Sequence, residues 1–162
     1  MQNRVGERYL TNEKYHIKYP TYIGCEVNKY WHNFQNFGDW FKENWKPYMD
    51  SSWCLDKDIL VKGNKVYSPE TCCFVPNEIN SLFTKRQNKR GDYPIGVNKE
   101  YNKFRVRLNK LNISLRSTPE EAFYDYKIAK EQHIREIADK WKSLIEEKVY
   151  KALINYKVEI ND

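Results

Sequence analysis

Residues 103–109, KFRVRLN, alternate between two kinds of side chain: Phe104, Val106 and Leu108 against Arg105, Arg107 and Asn109. A period of two puts neighbouring side chains on opposite faces of a strand, so this segment has one apolar and one cationic face. Such a strand suits a small antiparallel sheet covered on one side. The cover is written a few residues downstream. In STPEEAF, Thr118 fits an N-cap, Pro119 the first helical position, and Glu121 the partner that closes a capping box. Ala122, Tyr126, Ala129, Ile137 and Trp141 then recur at helical spacing. YPIGV and NISL read as the flanking strands, and EEKVYKALINY as a final helix.

Charge follows the same region. Residues 85–116 carry ten Lys or Arg and two acids, whereas the rest of the chain carries 18 basic and 20 acidic residues. The formal net charge of +6 is therefore a local excess. A cationic patch confined to one small sheet points to a nucleic-acid partner more strongly than total charge does. The polar, basic segment TKRQNKRGD reads as a linker, with Lys85, Arg86, Lys89 and Arg90 either placed along a DNA backbone or simply solvated.

Upstream, YPTYIGCEVNKYW reads as a turn and a short strand. HNFQNFGDWFKENW repeats Phe34, Phe37, Phe41 and Trp45 every three or four residues, a helix with an aromatic stripe expected to face a core. From Leu55, LDKDILV and KVYS suggest two strand-like pieces around Gly63-Asn64. TCCFV is a further β-prone run, and Pro76 fits the first turn of a short helix, PNEINSLF. The expected order is strand, loop, strand, helix. The fold class is α+β, with an N-terminal module over residues 1–84, a basic linker at 85–91 and a sheet-plus-helix domain over 92–162.

Other chemistries find little support. No window approaches 18 apolar residues, and MQNRVGERYLTNEKYH lacks the apolar run of a signal peptide, so no membrane partner is expected and the expected location is the cytoplasm. The four cysteines, Cys25, Cys54, Cys72 and Cys73, form no C-x-x-C pair, and buried thiols are expected rather than zinc. The chain has no P-loop, no G-x-G-x-x-G and no G-x-S-x-G.

The segment YPIGVNKEYNKFRVRLNKLNISLRSTPEEAFYDYKIAK resembles the ethylene-response-factor type of DNA-binding domain, which also occurs in phage homing endonucleases. Gly96, Val97, Lys103, Phe104, Thr118, Glu120, Glu121, Ala122 and Tyr126 carry the resemblance. It implies a three-stranded sheet laid in the major groove with the helix behind, and DNA contacts from Lys103, Arg105, Arg107 and Arg116. NISLRST departs from the family's usual approach to the helix. VNKYWHNFQNFGDWF followed by LDKDILVKGNKVYSPETCCFVPNEIN is similar to the HNH (His-Me finger) nuclease module of the same phage group. That resemblance implies a ββα-metal module, with location in the host-cell cytoplasm if the chain is phage-encoded.

The module's chemistry needs a divalent cation on the scissile phosphate and an activated water. By resemblance, Asp56 falls on the metal-binding Asp and Asn77 or Asn80 on the helical Asn, for Mg²⁺ or Mn²⁺. Lys57 stands where the family has its catalytic His. A Lys with an ordinary pKa near 10.4 is protonated at neutral pH and makes a poor base. Three readings follow: Lys57 deprotonated by burial, Lys57 as a phosphate-binding cation with His32 or a metal-bound water as base, or a site without cleavage. The first function expected is therefore metal-dependent DNA cleavage coupled to DNA binding. The alternative is a nuclease-dead relative that binds DNA or a host protein. The residues leave the oligomeric state open.

Overall fold

The computed structural model describes residues 13–83 and 92–160, which divide into two compact units at Asn77/Glu78. The first opens with a short helix, α1 (Glu13–Lys18), and a 3₁₀ turn at Pro20–Tyr22. Strand β1 (Glu26–Val27) follows, then a second 3₁₀ turn (Lys29–His32) and helix α2 (Phe34–Asn44). Asn33 caps α2, its side chain accepting the Gln35 N–H at 3.0 Å. Strands β2 (Trp53–Asp56), β3 (Val66–Tyr67) and β4 (Cys73–Pro76) complete the unit, and helix α3 (Asn77–Ser81) begins at its edge.

β2 and β4 pair antiparallel, with Trp53 opposite Pro76 and Asp56 opposite Cys73. The expected order of strand, loop, strand and helix is present, but its pairing differs from the sequence reading. β2 ends at Asp56, and KVYS supplies β3, which pairs parallel with β1 instead of folding back on β2. Pro76 closes β4 and lies just before the helix. The loop between β2 and β3 is held from within. Asn64 donates to the carbonyls of Lys57 and Val66, each at 2.7 Å, and accepts the Val66 N–H at 3.1 Å.

The aromatic stripe of α2 works as a partial core. Trp40, Phe41 and Trp45 surround buried Phe74 with ring centroids at 5.4, 5.4 and 5.1 Å. Trp31, buried beneath them, meets Trp40 at 4.8 Å and Phe37 at 5.1 Å. No residue of α2 is itself fully buried, and Phe34 stays exposed. A single β4 residue cannot cover a four-ring stripe, which is why the stripe is only half-buried.

The second unit contains one sheet in the order β5 (Val97–Glu100), β6 (Lys103–Leu108), β7 (Leu111–Arg116), antiparallel throughout. Asn109 and Lys110, at φ of 50° and 69°, join β6 and β7 in the left-handed two-residue turn that matches strand twist. YPIGV is mainly the approach to β5, which starts only at Val97. Helix α4 (Pro119–Trp141) carries the expected capping box, with both Thr118 and Glu121 bonds made. It covers one sheet face. Val97, Val106, Ala122, Phe123 and Tyr126 form the core, joined by Val158 from beyond helix α5 (Glu147–Ile154). Glu131 of α4 fixes that returning segment by accepting the Val158 N–H at 3.0 Å.

The division between units falls earlier than the basic stretch because α4 and the tail claim the residues after Asn77. Glu78 accepts from Lys140 and from the Trp141 indole, each at 2.7 Å, Lys130 reaches the Leu82 carbonyl at 2.8 Å, and Phe83 stacks near Tyr156. Among the described residues, no helix is long and apolar enough to cross a membrane.

Candidate nucleic-acid interface and the Asp56 turn

Register decides what each face of the three-stranded sheet carries. Asn98, Arg105 and Leu115 are opposite one another across β5, β6 and β7 and so share a face. Glu100 and Lys103 form the next pair on that face, and Arg107, on the same face, pairs with Asn112 of β7. The alternate positions, Phe104 and Val106, pack toward α4 in the core. One face is thus covered by the helix, and the other presents Lys103, Arg105 and Arg107.

Neighbours hold these arginines in place. The Arg105 Nε donates to Glu100, which keeps that carboxyl below its usual range and raises the guanidinium. The Arg107 Nε donates to Asn112 Oδ1 at 3.1 Å. Strand spacing near 4.8 Å makes the three strands about 10 Å across, which matches a B-DNA major groove about 12 Å wide.

Arg116 is placed differently from what the resemblance implies. It lies opposite Phe104, on the helix side, and its Nε and Nη2 meet the two Asp125 carboxylate oxygens at 2.6 and 3.1 Å. Ser114 Oγ donates to the same carboxylate. These bonds hold Asp125 below the usual carboxylate range, the Arg116 bond first and the Ser114 bond second. Arg116 therefore braces β7 against α4 and lies away from the open face. The other expected contacts, Lys85, Arg86, Lys89 and Arg90, lie outside the described residues.

No protein-family model, curated protein or solved structure matches this chain.

The Asp56 segment is a tight turn at the end of β2. Asp56 is buried, and its Oδ1 accepts the N–H groups of Asp58 and Ile59, each at 2.8 Å. This is a side chain closing a turn on its own backbone. Burial first and the Asp58 charge second push its carboxyl up to about 6, against the opposing pull of the two N–H bonds and Lys57. Lys57 is buried too. Its ammonium pairs with Asp58 at 3.3 Å and lies 5.8 Å from the centre of the Tyr67 ring. His32 Nε2 is bonded to the Val27 carbonyl at 3.1 Å. Burial pushes the Cys72 thiol up to about 12, so it stays protonated at neutral pH.

The oxygens expected to share a cation are set apart along the chain. Asp56 reaches forward to its own turn. Asn77 follows Pro76 at the opposite end of the β2–β4 ladder, four residues beyond the Asp56 partner Cys73, roughly 13 Å away by strand rise. Its Oδ1 lies 3.7 Å from the Cys54 thiol, and its N–H donates to the Ser52 carbonyl at 2.8 Å. Asn80 belongs to the second unit. Among the described residues, no three His, Cys, Asp or Glu side chains gather into a metal-holding group. Direct ligands to Mg²⁺ require oxygens about 2.1 Å from the ion, and the Asp56–Asn77 arrangement does not fit that geometry.

Sequence reasoning left out four residues that matter here. Asn98, Glu100 and Leu115 share the open face, and Asp125 removes Arg116 from it. The only signal for them was cross-strand register, which a single strand's alternation does not contain.

Proposed function

We propose that this protein binds double-stranded DNA through the open face of β5–β7. One observation carries this reading: strand register places Lys103, Arg105 and Arg107 together on the face that α4 leaves bare. The sheet is of groove width, Arg105 and Arg107 are oriented by Glu100 and Asn112, and the local charge excess includes it. The likeness of this segment to the ethylene-response-factor type of domain supports the same use of the face.

Of the two expected functions, binding without cleavage is the one we adopt. Asp56 Oδ1 closes its own turn and Lys57 pairs with Asp58, which supports binding without cleavage. A host-protein partner draws no specific support from the residues described.

The test is titration of the full chain with a fluorescent duplex at several salt concentrations, together with Arg105→Ala/Arg107→Ala. Affinity should fall steeply as salt rises. The double variant should lose about 1–3 kcal/mol for each contact removed while keeping its unfolding midpoint. Parent-like binding by the double variant would show that this face does not hold the DNA. Plasmid incubated with the parent and Mg²⁺ or Mn²⁺ should stay supercoiled. Nicking that disappears in Asp56→Ala would restore the cleavage reading.

A further inference from the structure

β7 is an edge strand, and its outer residues are unusually aliphatic for an edge. Leu111, Ile113 and Leu115 are 68, 43 and 45% exposed. Edge strands that face only water tend to carry charge or proline, because bare apolar edges invite association. Register sets Leu111 opposite Leu108, on the covered side, and leaves Leu115 as the aliphatic residue of β7 that it fixes on the open face. It stands directly across from Arg105, in the row that continues to Asn98 on β5. An exposed aliphatic side chain thereby stands beside Arg105, at the β7 edge of the face proposed for the groove.

The row has a chemical sense. In the major groove, adenine offers an acceptor and a donor that suit an Asn carboxamide, and thymine offers a 5-methyl group that suits an aliphatic side chain. Arg105 is already bonded to Glu100, which leaves its charge available to a phosphate more readily than its full fork to a guanine. Arg105 beside the leucine, with Lys103 and Arg107 on the same face, makes a nucleic acid the occupant favoured by charge, over a second copy of a chain with the same positive face.

We infer that Leu115 is a specificity-determining residue that packs on a thymine 5-methyl group, so that the bound duplex is rich in A·T pairs. This rests on the proposed DNA-binding reading of the same face. The exposed methyl of thymine would lose water against the Leu115 side chain, and uracil, which pairs identically, has no methyl to bury.

The experiment compares the full chain on poly(dA-dT), poly(dA-dU) and poly(dG-dC) duplexes at one low salt concentration, with parent and Leu115→Ala. Poly(dA-dT) should bind about three- to tenfold more tightly than poly(dA-dU), the range expected from burying one methyl in a good fit. Leu115→Ala should bind poly(dA-dT) and poly(dA-dU) alike. Circular dichroism checks that the variant is folded, and the parent's own dT-to-dU ratio stands if it is not. Equal parental affinity for the two polymers would overturn the inference while leaving DNA binding intact, as would a dT preference that survives in Leu115→Ala. Failure to bind all three duplexes would bring down the DNA-binding reading itself. Self-association of the parent that Leu115→Ala abolishes, without duplex binding, would assign the leucine to a protein contact and likewise overturn the inference.

Discussion

Gly96 lies against the ring of Tyr126 so closely that a Cβ built on it would stand 2.0 Å from the ring's Cδ2. The glycine is also at φ +78°, in the turn that delivers the chain into β5. Two independent demands thus fall on one residue: left-handed backbone and no side chain. Tyr126, 5% exposed, is the α4 residue that fills the space. The contact sets how closely helix and sheet approach at the start of β5.

Gly96→Ala should therefore destabilise the protein by roughly 2–4 kcal/mol, combining left-handed strain with overpacking against an immobile ring. Chemical denaturation followed by circular dichroism measures this. A change under 1 kcal/mol would mean that the ring moves aside without cost. Gly96→Ala/Tyr126→Leu should recover part of the loss, because the clash is with that ring.

Arg116 should behave as a brace and be silent in DNA binding. Arg116→Ala should lower stability modestly, as suits a half-exposed pair, and leave duplex affinity unchanged. The Asp125 carboxyl is depressed in the folded state, so its contribution is present above its unfolded pKa and lost as pH falls through the folded value. Arg116→Ala should accordingly differ from the parent at neutral pH and converge with it in acid. A large loss of DNA affinity at unchanged stability would place Arg116 at the interface after all.

Glu100 puts a carboxylate on a face proposed to meet phosphates, and it holds Arg105 while doing so. Glu100→Gln should raise duplex affinity roughly two- to tenfold at low salt, with the gain shrinking as salt screens the charge. Fluorescence anisotropy across a salt series measures it. Weaker binding by Glu100→Gln would show that the carboxylate is needed to aim Arg105.

Asp56 provides a test of the turn at the end of β2. Its folded pKa, about 6, lies above the ordinary 3.8, so its contribution to stability is full below the unfolded value and declines as pH rises through the folded one. Asparagine keeps the acceptor for the Asp58 and Ile59 N–H groups and never ionises. Asp56→Asn should be more stable than the parent by about 1–3 kcal/mol at pH 7.5, with the gap closing toward pH 4. Thermal unfolding over pH 4–8 tests this. A parent more stable than Asp56→Asn at pH 7.5 would mean that the charge itself is needed, as a cation ligand requires.

Local patterns in the sequence were enough for most of the second unit's elements, though not for β5, which starts only at Val97, the last residue of YPIGV. The alternation of residues 103–109 fixed one covered and one open face, and Thr118, Pro119 and Glu121 fixed where α4 starts, because strand period and helix capping involve neighbours within a few residues. The helical stripe from Phe34 to Trp45 was legible for the same reason. The site was less so. Which residues stand beside Arg105 depends on pairing among three strands, and the side on which Arg116 falls depends on whether it meets Phe104 or its neighbour. A shift of one residue would reverse that side. The parallel pairing of β3 with β1, across some forty residues of chain, carried no local signal either. Asp56 and Asn77 were expected to be partners only through the resemblance to the nuclease module. Only the ladder, which pairs Asp56 with Cys73 and sets Asn77 beyond Pro76, decided that they stand at opposite ends.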